Sequence, residues 1–315
     1  MNYYKIKNLF NSKQLIDLLF DIVFYGSFLF LIYASLSLVV NLPTSFPLGG
    51  PDEPMHISMT EYIAEYWKWP QWDSHKILRY CDGSSYVCTS AIVYWFHAFL
   101  YKITDIHRLG SFFLFIGYLC ILAYFYRKNK VAGIAGIAFI TPQVLLTFSY
   151  VNSDVGTICI AFLLGIAIAK YLHDPNKPSN FYFFLVMSGA CMTSKYHMWG
   201  IGFIAFVYAL FVTRRSIFRL PWKTIFFASF FAVLIAVWWP ITSYFANNGD
   251  IIGFLAQEKA RLLFGDSNLP LFSPPLESFP LRHFLFLTAK SFYGIWGWMA
   301  CGLPEINYMV AIPLL

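Results

Sequence analysis

An all-α fold, a polytopic transmembrane helical bundle, follows from three features of the sequence. Of its 315 residues, 58% are hydrophobic and only 12% charged, about half the charged share of an ordinary soluble domain. The apolar residues gather in long runs, and a helix of about 20 apolar residues crosses a ~30 Å hydrocarbon core. Lys and Arg cluster in short segments between alternate runs, as the positive-inside rule requires of cytoplasmic loops. The net charge of +6 is scattered and forms no continuous stripe. It therefore sets orientation in a bilayer, and nucleic acid is not expected among the partners.

Residues 1–21 are polar-amphipathic and carry Lys5, Lys7 and Lys13, and residues 22–41 form the first span. Asp17 and Asp21 stand at its start and no small-residue cleavage pattern follows, so this run reads as a retained anchor with a cytoplasmic amino terminus. The loop 42–108 is expected outside. Met59, Tyr62, Ile63, Tyr66 and Trp67 recur there at helical spacing, which predicts a helix lying in the membrane interface, with Trp67, Trp69 and Trp72 at headgroup level.

Ser90 to Ile103 is only 14 residues, about 21 Å as a helix. It reads as a second interfacial helix, because a crossing here would place Arg127-Lys128-Asn129-Lys130 outside. Further spans are expected over 109–126, 131–149, 155–172, 181–194, 198–212 and 224–244. An outer region at 245–304 follows, then the start of another span at 308–315, all in one transmembrane domain over 1–315. That last run reads as the first third of a helix from a longer parent chain.

The chemistry-bearing stretch is Pro51-Asp52-Glu53-Pro54-Met55-His56, directly after the first span. Two adjacent carboxylates and an imidazole at a bilayer surface point to a functional site, since unpaired charge near lipid is costly. The same residues suit a helix start: Asp52 or Glu53 as cap, Pro54 in the first turn. Both readings stand at this point.

Glu53 and His56 are three apart and share a helix face. Asp154 follows Asn152 and Ser153, which suits a first-turn acid behind a cap. Lys195 falls at an outer turn between two short spans, suited either to stabilising an anion in a protein-lined cavity or to snorkelling. Arg108, Arg282 and Lys290 are weaker anion candidates; His97 and His107 are expected at the interface without a chemical role. Trp296 and Trp298 suit a membrane belt more than a sugar platform. Cys81 and Cys88, seven apart, are a candidate disulfide, whereas Cys120, Cys159 and Cys191 fall within spans as packing residues. No zinc-ligand spacing, Walker loop, G-x-G-x-x-G or G-x-S-x-G sequence occurs.

The hexapeptide 51–56, Val151-Asn152-Ser153-Asp154, Thr193-Ser194-Lys195, Ser291-Phe292-Tyr293-Gly294, Trp296-Gly297-Trp298 and Leu303-Pro304 occur in this order. The order resembles a family of bacterial polytopic membrane proteins without an assigned activity. That family looks like a branch of the GT-C glycosyltransferase superfamily, which includes the aminoarabinose transferases of lipid A and the protein mannosyltransferases. Family members are usually longer at the carboxyl end.

The resemblance implies a GT-C-like bundle in the bacterial inner membrane that transfers a sugar from a polyprenyl-phosphate donor to a glycan or lipid acceptor of the cell envelope on the outer face, with inversion. Carried over, Asp52 is the expected base or a ligand for a divalent metal (Mg or Mn), and Glu53 a second catalytic carboxylate. His56, Asp154 and Lys195 are expected to bind substrate, with Lys195 facing the leaving phosphate. Asp52, Glu53 and His56 are the expected ligands if a metal is used. The competing class is a transporter or lipid flippase component, which would carry charges within its spans; here the acids gather at one surface.

Overall fold

The computed structural model describes residues 12–42, 52–79 and 83–265, and the backbone of 295–296 and 301–302. Cys81, Arg282, Lys290, Trp298 and the span expected from 308 lie outside the described residues. Apart from one pair of two-residue antiparallel strands, β1 (Ile295–Trp296) and β2 (Cys301–Gly302), the regular elements described are helical. Five of the helical segments are long and apolar enough to cross a membrane: Gln14–Asn41, Leu109–Lys128, Ser153–His173, Met198–Ile217 and Trp222–Ala246. Their outward surfaces carry large apolar side chains such as Phe203, Ile204, Phe211 and Leu234, as lipid contact requires.

The backbone divides into two compact units. The first takes in residues 1–51, 111–150 and 279–315. Its helix α1 (Ser12–Asn41) starts well before the expected Ile22. Asp17 and Asp21, expected at the start of the membrane run, lie inside this helix and engage Lys130, with Asp21 Oδ1 at 2.9 Å from its ammonium. Phe24 stacks on Tyr126 at 3.8 Å.

Helix α4 (Leu109–Lys128) continues from the second unit into the first. The apolar stretch 131–149 is two helices, α5 (Lys130–Ala138) and α6 (Pro142–Thr147). Pro142 has no N–H to continue α5, and the Thr141 hydroxyl caps the new start by accepting from Val144 N.

The second unit, 52–110 and 151–278, begins with α2 (Glu53–Tyr66) and α3 (Val93–Thr104), which pack on each other. Met59 and Ile63 on α2 are fully buried, as are Tyr94 and Ala98 on α3. The stripe expected to face the interface is thus covered by protein, with Trp67 left exposed at the left-handed C-cap. At twelve residues, about 18 Å, α3 is too short to cross.

Then follow α7 (Ser153–His173), α8 (Pro178–Cys191), α9 (Tyr196–Ile217), α10 (Trp222–Ala236), α11 (Trp238–Ala246) and α12 (Phe254–Phe264). The region 181–194 is covered by the 14-residue α8 and the turn after it. The packed core joins α7 to α8, α9 and α10 around Leu164, Tyr171, Phe184 and Cys191. Tyr171 stacks on Phe184 at 4.9 Å and 7°. Gly189 lets α8 press on α10, since a Cβ there would fall 2.4 Å from the Ala232 carbonyl oxygen.

Candidate functional site

Helix α2 starts where Pro54 places it, with Asp52 as the cap residue, but the Asp52 side chain makes no capping hydrogen bond. Of the two readings of this carboxylate, the structure takes it away from the helix end. Its Oδ2 accepts from the Tyr86 hydroxyl and lies 3.1 Å from His56 Nε2, one turn on. On its other nitrogen, His56 Nδ1 is hydrogen-bonded to the hydroxyl of Tyr94 on α3. The His56 ring is fully buried and stacks on Tyr86 at 4.0 Å. The result is a chain Tyr86–Asp52–His56–Tyr94 in a low-dielectric setting, where such links strengthen one another.

Asp52 Oδ1 is buried and has no hydrogen-bond partner among the described residues. Burial opposes ionisation of this carboxyl; the hydrogen bonds and charge of His56, the Tyr86 hydroxyl and the Lys195 ammonium outweigh it and hold the pKa at about 2. The group is a carboxylate throughout the physiological range.

Lys195 reaches the same cluster from the turn between α8 and α9. Its Nζ lies 5.7 Å from the centre of the Tyr86 ring, on which His56 also stacks, and 2.6 Å from Asp154 Oδ1. Asp154 stands in the first turn of α7, whose start is capped by Asn152 Oδ1 accepting from Asp154 N at 2.8 Å. The turn between α8 and α9 that carries Lys195 is tied to the segment before α3: Ile92 N donates to Thr193 O at 3.1 Å and Ser90 Oγ to Met192 O at 3.2 Å. Asp154 is 41% and Lys195 23% exposed at their side chains, while Asp52 is 17% exposed, so the pair is the more exposed side of the cluster.

Glu53 occupies a different environment from its neighbour. Its side chain is fully buried, Arg108 Nε donates to Oε1 at 2.6 Å and Arg108 Nη2 to Oε2 at 2.5 Å, and Val151 N adds a third hydrogen bond at 3.1 Å. This is a bidentate pair that ties the start of α2 to the residues before α4 and α7. Arg108, expected as a weak anion candidate, is committed to it. The expected metal set Asp52, Glu53 and His56 therefore does not converge. Both Glu53 oxygens are occupied, and among the described residues no three His, Cys, Asp or Glu side chains form a metal-binding group. The residues do not fit a divalent metal at this position.

His97 and His107 part company. His107 is half-exposed, stacks on Tyr101 at 4.2 Å and meets Glu61 Oε1 at 2.9 Å. His97 is fully buried against Gly110, where a Cβ would fall 2.3 Å from its Nδ1. Burial first, and the neighbouring His56 second, push its pKa down to about 3, against a hydrogen bond with the Asn152 backbone. Cys88 is buried, its Sγ 3.7 Å from Asn247 Oδ1, and its expected partner Cys81 lies outside the described residues.

Of the residues singled out from the sequence, Asp52, His56 and Lys195 lie about the Tyr86 ring, Asp154 pairs with Lys195, and Glu53 is held apart by Arg108. Sequence reasoning missed Tyr86 and Tyr94. Tyr86 sits in a 3₁₀ turn, Tyr86–Cys88, with no motif around it. No protein family, curated protein or solved structure matches the chain.

Proposed function

We propose that this chain is a membrane glycosyltransferase of GT-C type that moves a sugar from a polyprenyl-phosphate donor to a cell-envelope acceptor. One observation carries the reading: the Asp52 carboxylate holds a buried oxygen without a partner among the described residues, in the field of a partly exposed lysine, Lys195. An unsatisfied buried acceptor is costly, and a substrate hydroxyl would satisfy it.

In the reaction, the acceptor oxygen attacks the anomeric carbon opposite the phosphate and the C–O bond to phosphate breaks. The electron pair leaves with polyprenyl phosphate, and the hydroxyl proton passes toward Asp52. At a pKa of about 2, Asp52 is a weak base and acts chiefly by orienting and polarising the hydroxyl. Its contribution belongs near the lower end of the 10²- to 10⁴-fold typical of positioned acid–base groups. Lys195 offsets the charge growing on the departing phosphate, a term that needs no proton transfer. Glu53 holds the helix that presents Asp52. On this reading the site faces outward, the amino terminus lies in the cytoplasm and the membrane is the bacterial inner membrane.

The test is reconstitution in proteoliposomes with synthetic polyprenyl-phosphate sugars, following release of polyprenyl phosphate. Asp52→Asn should abolish release while leaving the protein folded. Full transfer by that variant removes the reading, and accumulation of intact donor across the vesicle wall would replace it with transport.

A further inference from the structure

The other end of α8 carries a second feature that the proposed chemistry does not use. Helices α8 and α10 run parallel: Ser179 and Lys223 line one pocket at their starts, and Gly189 touches Ala232 further along. Toward their starts the two packed helices flank a shallow, open groove of about 550 Å³. Tyr182, Phe183, Val186 and Phe227 form its walls, and Lys223 and Ser179 its mouth. Phe227 is half exposed at 50%, so the groove opens sideways from a helix apolar enough to span a membrane.

Lys223 is the charged residue in the groove's lining, and more basic residues stand at the same helix ends. The short connections on either side of these helix starts bring Lys170, Lys177, Arg214, Arg215, Arg219 and Lys223 to one end of the unit, and Asp174 is the only acid between residues 170 and 223. Lys170 Nζ sits 5.8 Å from the centre of the Phe183 ring, at the groove wall. Two parallel helices also add their positive ends here.

We infer that this groove binds one anionic glycerophospholipid from the adjoining leaflet, its phosphate at Lys223 and Ser179 and an acyl chain along Tyr182, Val186 and Phe227. The charge of the mouth selects the anion, and the apolar walls, open to the bilayer, select a chain over a water-soluble phosphate. The site lies at the opposite end of α8 from the Lys195 turn and does not depend on the transferase reading.

The experiment is native mass spectrometry of the whole chain released from nanodiscs of equal phosphatidylglycerol and phosphatidylcholine. One phosphatidylglycerol should survive activation that strips phosphatidylcholine. Lys223→Gln, at an exposed position, should lower its retention about fivefold, the worth of one lysine near an anionic surface. Val186→Trp, which fills the groove, should abolish it, whereas Phe203→Trp on an exposed face of α9 should change nothing. Equal retention of the two lipids, or retention of phosphatidylglycerol indifferent to both Lys223→Gln and Val186→Trp, would overturn the inference.

Discussion

Arg108 grips Glu53 through two parallel hydrogen bonds, at 2.6 Å and 2.5 Å, in a place that excludes water from both side chains. One residue earlier, Asp52 has an oxygen without a partner among the described residues. Two acids that look alike in the sequence therefore sit in different settings: Glu53 is clamped by Arg108, and Asp52 faces Tyr86 and His56. Arg108→Met, which strands a buried carboxylate, should cost about 3–5 kcal/mol. The double variant Arg108→Met/Glu53→Gln should recover most of that. Thermal unfolding in detergent measures both, and a single variant as stable as the parent would contradict the assignment.

The pKa of Asp52 has consequences of known sign. Because it is lowered in the fold to about 2, its stabilising contribution is complete above the unfolded value near 4 and disappears as pH falls through about 2. The transfer rate should accordingly show no ionisation step from Asp52 between about pH 5 and 8. An acidic limb in that interval that vanishes in Asp52→Asn would show the carboxyl to be far less acidic.

Lys195 and Asp154 form an ion pair that is partly exposed on both sides, and such pairs contribute about 0–1 kcal/mol to stability. Lys195→Ala should therefore leave the melting temperature nearly unchanged while lowering turnover by roughly 10²-fold, as loss of a charge-stabilising group does. Comparing melting with turnover in one preparation separates the two roles. A large loss of stability with proportionate loss of activity would make Lys195 structural.

His97 gives a second pH test. Its pKa is depressed to about 3 by burial, so between about 6.5 and 3 the unfolded chain binds a proton that the folded chain does not. Stability should fall as pH drops through this window, by at most about 1.4 kcal/mol per unit for one group. His97→Asn should flatten that part of the profile of melting temperature against pH. An unchanged slope would mean that the ring reaches solvent.

Tyr86→Phe removes the hydroxyl that donates to Asp52 Oδ2 but keeps the ring between His56 and Lys195. It should raise the Asp52 pKa and lower turnover, with little change in donor affinity. Tyr86→Ala should impair both. Kinetics of the two variants, read as separate effects on kcat and KM, distinguish the hydroxyl from the ring.

The helical membrane character was legible because apolar run length and basic clusters are summed properties of many residues. Elements set by a single residue were harder to place. Pro142 was visible as a breaker inside 131–149, yet hydropathy alone joined what it separates. The stripe through Met59 and Ile63 has helical period whether lipid or α3 covers it, and only the packing decides. At the site, charged residues announced themselves because charge beside a membrane needs a reason. Tyr86 and Tyr94 did not, since tyrosine is common in such chains and their roles come from long-range approach. Glu53 had one available clue: a carboxylate this deep requires a cation, and Arg108 stands immediately before the next span.

The hydrogen bonds from the Ser90 hydroxyl and the Ile92 backbone N–H to the Met192 and Thr193 carbonyls have an evolutionary corollary. They are made to backbone atoms at the turn, so they survive replacement of the turn's side chains. The backbone of the turn that carries Lys195 is thereby held to the residues that follow Tyr86. Side chains of this turn other than Lys195 are therefore open to substitution without loosening that attachment.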